Sequence, residues 1–136
     1  MSLDSEIYDR LSGFAALTAL ASARIYPGVA PQGSSFPYVT YFEVSGERSL
    51  TSGPTYNMGR PRFQFSAWGK DRGNPLVVGY DSARAVVDQL RAALDPFTTA
   101  TGTIIQSTFF IDESYIYEAV GKVHQFAVDY EINYET

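Results

Sequence analysis

The 136-residue sequence contains no cysteine and only one histidine, His124. Without cysteine the chain has no disulfide, no thiolate nucleophile and no cysteine metal site. A single histidine cannot supply a histidine metal triad or a histidine pair for acid–base catalysis. Strand alternation places His124 on the inner face of the last strand, as a partly buried structural residue. We therefore expect neither a metal nor a cofactor.

Long hydrophobic runs are also missing. No apolar stretch approaches the length of a membrane-spanning helix. The first ten residues carry acidic side chains before any apolar run, unlike a secretory signal. The length and composition are those of one folded domain over residues 1–136. We expect a soluble protein that is made in a cytoplasm and does not contact a membrane.

Positive charge is scarce in the last quarter of the chain. The net charge is −5, residues 1–100 hold nine basic and nine acidic side chains, and residues 101–136 hold six acids against Lys122 alone. A nucleic-acid-binding protein would concentrate the opposite sign on one face. These acids are either ordinary solvated charges on one face of a C-terminal hairpin or a functional surface. A functional surface of this charge would repel a polyanion or bind a basic partner.

Aromatic residues are plentiful at 15%, and they favour strands and contact surfaces. Period-two alternation and turn residues predict five strands. These are Arg24–Tyr26, Tyr38–Ser45, Arg62–Trp68, Thr103–Ile111 with an extension toward Tyr117, and Val123–Tyr134. The glycine- and proline-rich residues 46–61 are predicted to be a long connection.

Helical periodicity marks two further segments. Apolar residues from Leu3 to Leu20 predict a first helix that breaks at Ser12-Gly13. A second helix is predicted to begin at Asn74-Pro75 and to stop at Asp95-Pro96. Its core-facing stripe would be Ala83, Val86, Val87, Leu90 and Leu94.

The element order α-β-β-β-α-β-β predicts an α+β fold with a single, mostly antiparallel β-sheet and both helices packed on one face. The other face of the sheet is expected to carry Tyr41 and Trp68. Exposed aromatic residues there would pack on a neighbouring molecule, unless the long loops fold back over them.

Catalytic chemistry is nearly absent from the sequence. Asp112 and Glu113 form the one adjacent acid pair, and together with His124 they are the candidates for a small hydrolase. No nucleophile and general base occur at a recognisable catalytic spacing. Ser45-Gly46-Glu47 lacks the second glycine of a nucleophile elbow. The sequence therefore predicts a protein that is not an enzyme.

Several short runs carry a resemblance that spans nearly the whole chain. They are RIYPGVAPQG at residues 24–33, PYVTY at 37–41, SGER at 45–48, RPRFQ at 60–64 and FAVDY at 126–130. In this order they resemble the tail-completion (tail-terminator, head–tail joining) proteins of long-tailed bacteriophages and prophage-like particles. The match is weakest at residues 101–121.

The resemblance implies a structural virion protein at the head–tail interface, assembled in the host cytoplasm. Such a subunit forms a ring, commonly a hexamer, at the head-proximal end of the tail tube. The ring stops tube polymerisation, joins the tail tube protein to the head–tail connector protein, and lets DNA pass without specific binding. The alternative is a small α+β ligand-binding or regulatory dimer with no catalytic activity.

Two sets of residues are candidates for contacts in such a ring. The partner-contact loop comprises Arg48, Tyr56, Asn57, Arg60 and Arg62. The acids expected to face a DNA channel, where they would repel phosphates, are Asp112, Glu113, Glu118, Asp129 and Glu131.

Overall fold

The structure is a computed structural model that describes residues 3–45, 48–50, 57–71, 78–95, 97–98 and 104–135. The helices are α1 (Leu3–Ser12), α2 (Ala15–Ala21) and α3 (Gly79–Leu94). The strands are β1 (Ile25–Pro27), β2 (Tyr38–Ser45), β3 (Arg48–Leu50), β4 (Asn57–Gly59), β5 (Arg62–Lys70), β6 (Ile104–Glu118) and β7 (Val123–Glu135).

The predicted break in the first helical segment is confirmed. α1 ends at Ser12, and α2 starts at Ala15 after Phe14, whose backbone is extended. The Gly13 amide still donates to the Asp9 carbonyl at 3.0 Å, which closes the last turn of α1. The buried residues Ile7, Leu11 and Leu17 continue the apolar stripe across the break.

α3 confirms the predicted core stripe and corrects the predicted start. All five stripe residues are buried, and the helix ends at Leu94 with Asp95 as its C-cap. Its N-cap, however, is Val78, so the helix begins at Gly79 and not at Asn74-Pro75, which lie outside the described residues. The Gly79 amide donates to Asp71 Oδ1 at 2.7 Å. A side chain eight positions away thus satisfies a free amide of the first turn.

The seven strands that the structure describes form one sheet in the order β1-β2-β5-β7-β4-β3, with β6 on the other side of β7. Every pairing is antiparallel except β1 with β2. The predicted α+β sheet is confirmed, and so is the extension of the fourth predicted strand, since β6 reaches Glu118. The strand order differs from the prediction because the connection at residues 46–61 contains the β3–β4 pair, and β4 continues beside the end of β7.

The helices cover one face of the sheet, where α3 packs on β5 and β7 and α2 packs on α3. This helix face carries Phe63, Phe65 and Tyr130, which are 2% exposed or less. Tyr41 also lies here, stacked on Phe65 at 5.9 Å between ring centroids, and it is 3% exposed. The expectation that Tyr41 lies on the opposite face with Trp68 is therefore wrong.

α3 approaches β5 so closely that no side chain fits between them. A Cβ atom on Gly69 would lie 2.2 Å from the Gly79 carbonyl oxygen and 3.1 Å from the Ala83 nitrogen. Both neighbours are backbone atoms, which cannot rotate away. Glycine at position 69 therefore allows the first turn of α3 to rest directly on the sheet.

Candidate assembly surfaces

The face of the sheet opposite the helices, the distal face, is largely a hydrogen-bonded polar surface. The Trp68 indole N–H donates to Thr40 Oγ1 at 2.9 Å. Further along, Gln125 Nε2 donates to Ser66 Oγ at 3.0 Å. On a sheet face that none of the described helices covers, such pairs between neighbouring strands satisfy polar groups without a second apolar layer.

Aromatic side chains occupy one end of this face. Tyr38 stacks on Trp68 at 5.9 Å, and Tyr26 and Phe36 contact the Tyr38 ring at 6.1 and 4.9 Å. Phe42 extends the apolar area and is 44% exposed. The distal face is thus aromatic near β1 and β2 and polar near β5 and β7.

The predicted partner-contact loop is divided by the structure. Arg48 and Asn57 belong to the paired strands β3 and β4, and Tyr56 lies outside the described residues. Arg60 is exposed just before β5. Arg62 forms an ion pair with Asp129, donating from Nη2 and also from Nε at 3.1 Å.

The predicted channel acids divide between the two faces of the sheet. Asp112 and Asp129 are direct partners across β6 and β7, on the distal face. Like charges opposite each other are unfavourable. The Arg62 ion pair and a 3.2 Å hydrogen bond from Gln64 Nε2 to Asp129 Oδ1 offset that repulsion. Glu131 lies two residues further along β7 and therefore on the same face.

Glu118, at the end of β6, shares the distal face because the pairing with β7 runs without a shift from Asp112 to Glu118. Asp112 and Glu118 are both exposed. Six residues of strand separate them, which is about 20 Å. The distal-face acids therefore lie along the outer strand β6 and its neighbour β7.

Glu113 is not one of the distal-face acids. The β6–β7 register shifts between Phe110 and Asp112, and this irregularity moves Glu113 onto the helix face. There Glu113 Oε2 accepts a hydrogen bond from Arg84 Nη1 at 3.1 Å, and Arg91 Nη1 lies 3.9 Å from its other oxygen. The Arg91 guanidinium also stacks over Phe110 at 4.4 Å. The i, i+7 spacing of Arg84 and Arg91 places both arginines on one side of α3.

The β6–β7 hairpin (residues 104–135) exposes an unusual number of large apolar side chains. No described strand pairs with the outer edge of β6, which is 15 residues long. A long unpaired edge is a template for pairing with another chain. The exposed side chains, each between 41% and 96% accessible, are Phe109, Phe110, Ile111, Tyr115, Ile116, Tyr117 and Val120.

His124 lies in a contact network close to the turn of this hairpin, on the helix face. Its Nδ1 lies 2.6 Å from the Tyr115 hydroxyl, and its Nε2 lies 3.1 Å from Asp71 Oδ1. The pKa of Asp71 is lowered, first by the hydrogen bond from the Gly79 amide and then by that from His124. Sequence reasoning missed Asp71, because its partners are distant along the chain.

The three hydrolase candidates do not converge. Asp112 lies on the distal face, Glu113 is paired with two arginines, and His124 contacts Tyr115 and Asp71. Within the described ranges, no group of three or more histidine, cysteine, aspartate or glutamate residues is placed to hold a metal ion. Among the same residues no helix is long and apolar enough to cross a membrane.

Comparisons with known proteins were made for the sequence and for the fold. The family model described as tail completion protein gp17 matches residues 5–135. A chain from a solved structure of the virion of a native gene transfer agent particle is similar in fold, with a TM-score of 0.71. The two share 17% sequence identity, and the alignment covers 99% of this chain and 96% of that chain. At this identity the likeness concerns the fold alone. No curated protein matches the sequence significantly.

Proposed function

This chain belongs to the tail completion protein gp17 family, and from that premise we propose that it forms a ring at the head-proximal end of a tail tube. The family places the protein in the virion as a structural component of the tail. The proposal adds that the ring stops tube polymerisation and joins the tube to the head connector. The observation that carries the proposal is the family match, which spans almost the whole chain.

The two edges of the sheet support ring formation. A ring needs a contact between two different surfaces of the same subunit. β1, with three residues, lies at one edge of the sheet, and β6, with 15 residues and a surface rich in exposed apolar side chains, lies at the opposite edge, while β3 ends the short extension through β4. We propose that β6 of one subunit contacts a different surface of the next, as a hexamer would require.

We further propose that the distal face near β6 lines the channel through which DNA passes. Asp112, Glu118 and Glu131 lie on this face, while Asp129 is already paired with Arg62. Unpaired carboxylates repel DNA phosphates and let a duplex slide without binding. Glu113 faces the helices, so we leave it out of this role. The segment from Arg48 to Arg60, which contains Tyr56 and Asn57, is proposed to contact the tube or the connector.

Electron microscopy of assembled tail tubes mixed with the pure protein tests the proposal. We expect extra density at one end of each tube and none along the walls. Light scattering on the protein alone and with tubes gives the mass of the assembly. Binding along the walls, or none at all, contradicts the terminator role. A dimer in both conditions favours the regulatory alternative.

A further inference from the structure

An open cleft lies between α1 and the β1–β2 side of the sheet, away from β6. Its volume is about 630 Å³. α1 contributes Asp4 and Tyr8, which are neighbours at i, i+4 spacing, and also Asp9. β2 contributes Tyr41, Phe42 and Glu43. We call this site, with these six residues, the acidic cleft.

The cleft carries three carboxylates that have no cation of their own. Asp4, Asp9 and Glu43 make no ion pair with any residue that the structure describes, whereas Asp71, Asp88, Glu113 and Asp129 each have a basic partner. Three such carboxylates around an aromatic cleft give a negative potential beside apolar surface. This combination suits a cation that has an apolar stem.

Tyr41 supplies an independent indication of a ligand. Its side chain is only 3% exposed and lines the cleft. Yet its hydroxyl has no hydrogen-bond partner among the described residues. The hydroxyl opens into the cleft and is not enclosed in the core, so the group that hydrogen-bonds to it there is water or a bound ligand. Burial, and then the charges of Asp4, Tyr8 and Asp9, raise the pKa of Tyr41 to about 12, so the hydroxyl stays protonated at neutral pH.

We propose that the acidic cleft receives an arginine side chain from a neighbouring protein of the particle. The guanidinium would pair with the carboxylates, its N–H groups would donate to the Tyr41 hydroxyl, and its flat face and stem would pack on the rings. The rim favours a protein over a free ion, because Tyr8 is 40% exposed and offers apolar surface next to the charge.

An NMR titration with a short peptide tests this inference. The probe is an acetylated, amidated heptapeptide with arginine between two leucines and small polar ends. The matched probe replaces arginine with citrulline, which has nearly the same shape and no charge. We expect saturable shifts of backbone amides at Ser5, Tyr8 and Gly28 with the arginine peptide, and binding about tenfold weaker with citrulline.

Variants identify the groups that bind. Asp4→Asn combined with Asp9→Asn is expected to weaken binding by about two- to fivefold for each carboxylate removed. Tyr41→Phe is expected to weaken it by about two- to fivefold. Glu6→Gln is the control, because it removes one charge from the same helix outside the cleft. It is expected to change the affinity by less than about twofold. The amide spectrum of each variant checks that it is folded.

Three outcomes would overturn the inference. The first is equal binding of the citrulline peptide, and the second is a loss with Glu6→Gln as large as that with Asp4→Asn combined with Asp9→Asn. The third is a wild-type assembly that falls apart on Asp4→Asn with Asp9→Asn, because a second copy would then occupy the cleft. The titration does not depend on ring formation. Arginine binding together with no density at tube ends would reject the proposed function but support the inference that the acidic cleft binds arginine.

Discussion

At the scale of single residues, Tyr41 shows where alternation stops being informative. In β2 both residue parities contain large apolar side chains, with Tyr38 and Phe42 on one face and Val39 and Tyr41 on the other. The sequence of one strand therefore does not identify the inner face. The pairing of Tyr41 with Phe65 decides it, since Phe65 is completely buried.

Tyr41 also makes the stability of the fold depend on pH in the alkaline range. Its pKa rises from 10.0 to about 12 in the folded chain. The folded state therefore keeps a proton that the unfolded state releases above about pH 10. The resulting contribution is complete below pH 10 and is lost as the pH rises toward 12, where the loss is about 2 kcal/mol.

Urea unfolding of the wild type and of Tyr41→Phe at pH 9 and pH 11.5 measures this effect. We expect the free energy of unfolding to fall more steeply with pH in the wild type. Tyrosinate absorbance gives a second reading, since the difference between the two titration curves should centre near the raised pKa of Tyr41. Parallel pH dependences in the two proteins would contradict the prediction.

Glu113 illustrates a second residue-scale limit. Counting by twos along β6 puts Phe110 and Asp112 on one face and Glu113 on the other. The register shift between Phe110 and Asp112 reverses that order. No local signal in the sequence marks the irregularity, so the sequence does not show which of Asp112 and Glu113 lies on the helix face. The contacts of Glu113 with Arg84 and Arg91 show the division.

At the scale of elements, the sequence predicts the buried stripe and the end of α3 but not its first residue. Its buried stripe follows from helical periodicity, and its end follows from Asp95-Pro96. Its start depends on Asp71, which accepts the Gly79 amide, and on the close contact of that turn with Gly69. Local capping rules consider neighbours in sequence only, and here the decisive neighbours come from the end of β5.

The contact between α3 and β5 gives the second prediction. Gly69→Ala should destabilise the fold by about 1 to 3 kcal/mol, because the new methyl group would overlap the backbone of Gly79 and force α3 outward. Gly121→Ala is the matched control. Its nearest neighbour would be the Val123 Cγ2 atom at 3.3 Å, so the cost should stay below about 0.5 kcal/mol. Urea unfolding at pH 7 measures both, and equal stability of the two variants would contradict the close packing.

At the scale of the whole molecule, the sequence predicts that the helices form one layer on a single sheet. This is possible because apolar and polar residues alternate clearly in the long strands. β5 and β7 are nine and 13 residues long, and most of their buried residues follow the period of a strand. The short pair β3–β4 escaped prediction because three-residue strands in a glycine- and proline-rich segment carry no measurable period. Its place beside β7 is a tertiary contact that no local pattern encodes.

Reversing the charge of the distal face tests the proposed channel, and the effect on DNA binding is expected only in assembled rings. Asp112→Lys, Glu118→Lys and Glu131→Lys together would turn the acidic residues of the distal face into basic ones. In a ring these residues are repeated in every subunit, so a duplex in the channel would meet many new cations at once. The phosphate backbone binds such surfaces with an affinity that falls steeply with salt.

The matched control is Glu6→Lys, Asp81→Lys and Asp95→Lys, which changes the net charge equally but acts on the helix layer. Filter binding of a DNA duplex to rings assembled on tail tubes should show retention by the distal-face variant that exceeds the control by about tenfold at moderate salt. The retention should decline as salt rises. Equal retention by both variants would mean that net charge alone attracts DNA, and stronger retention by the control would place the helix layer in the channel.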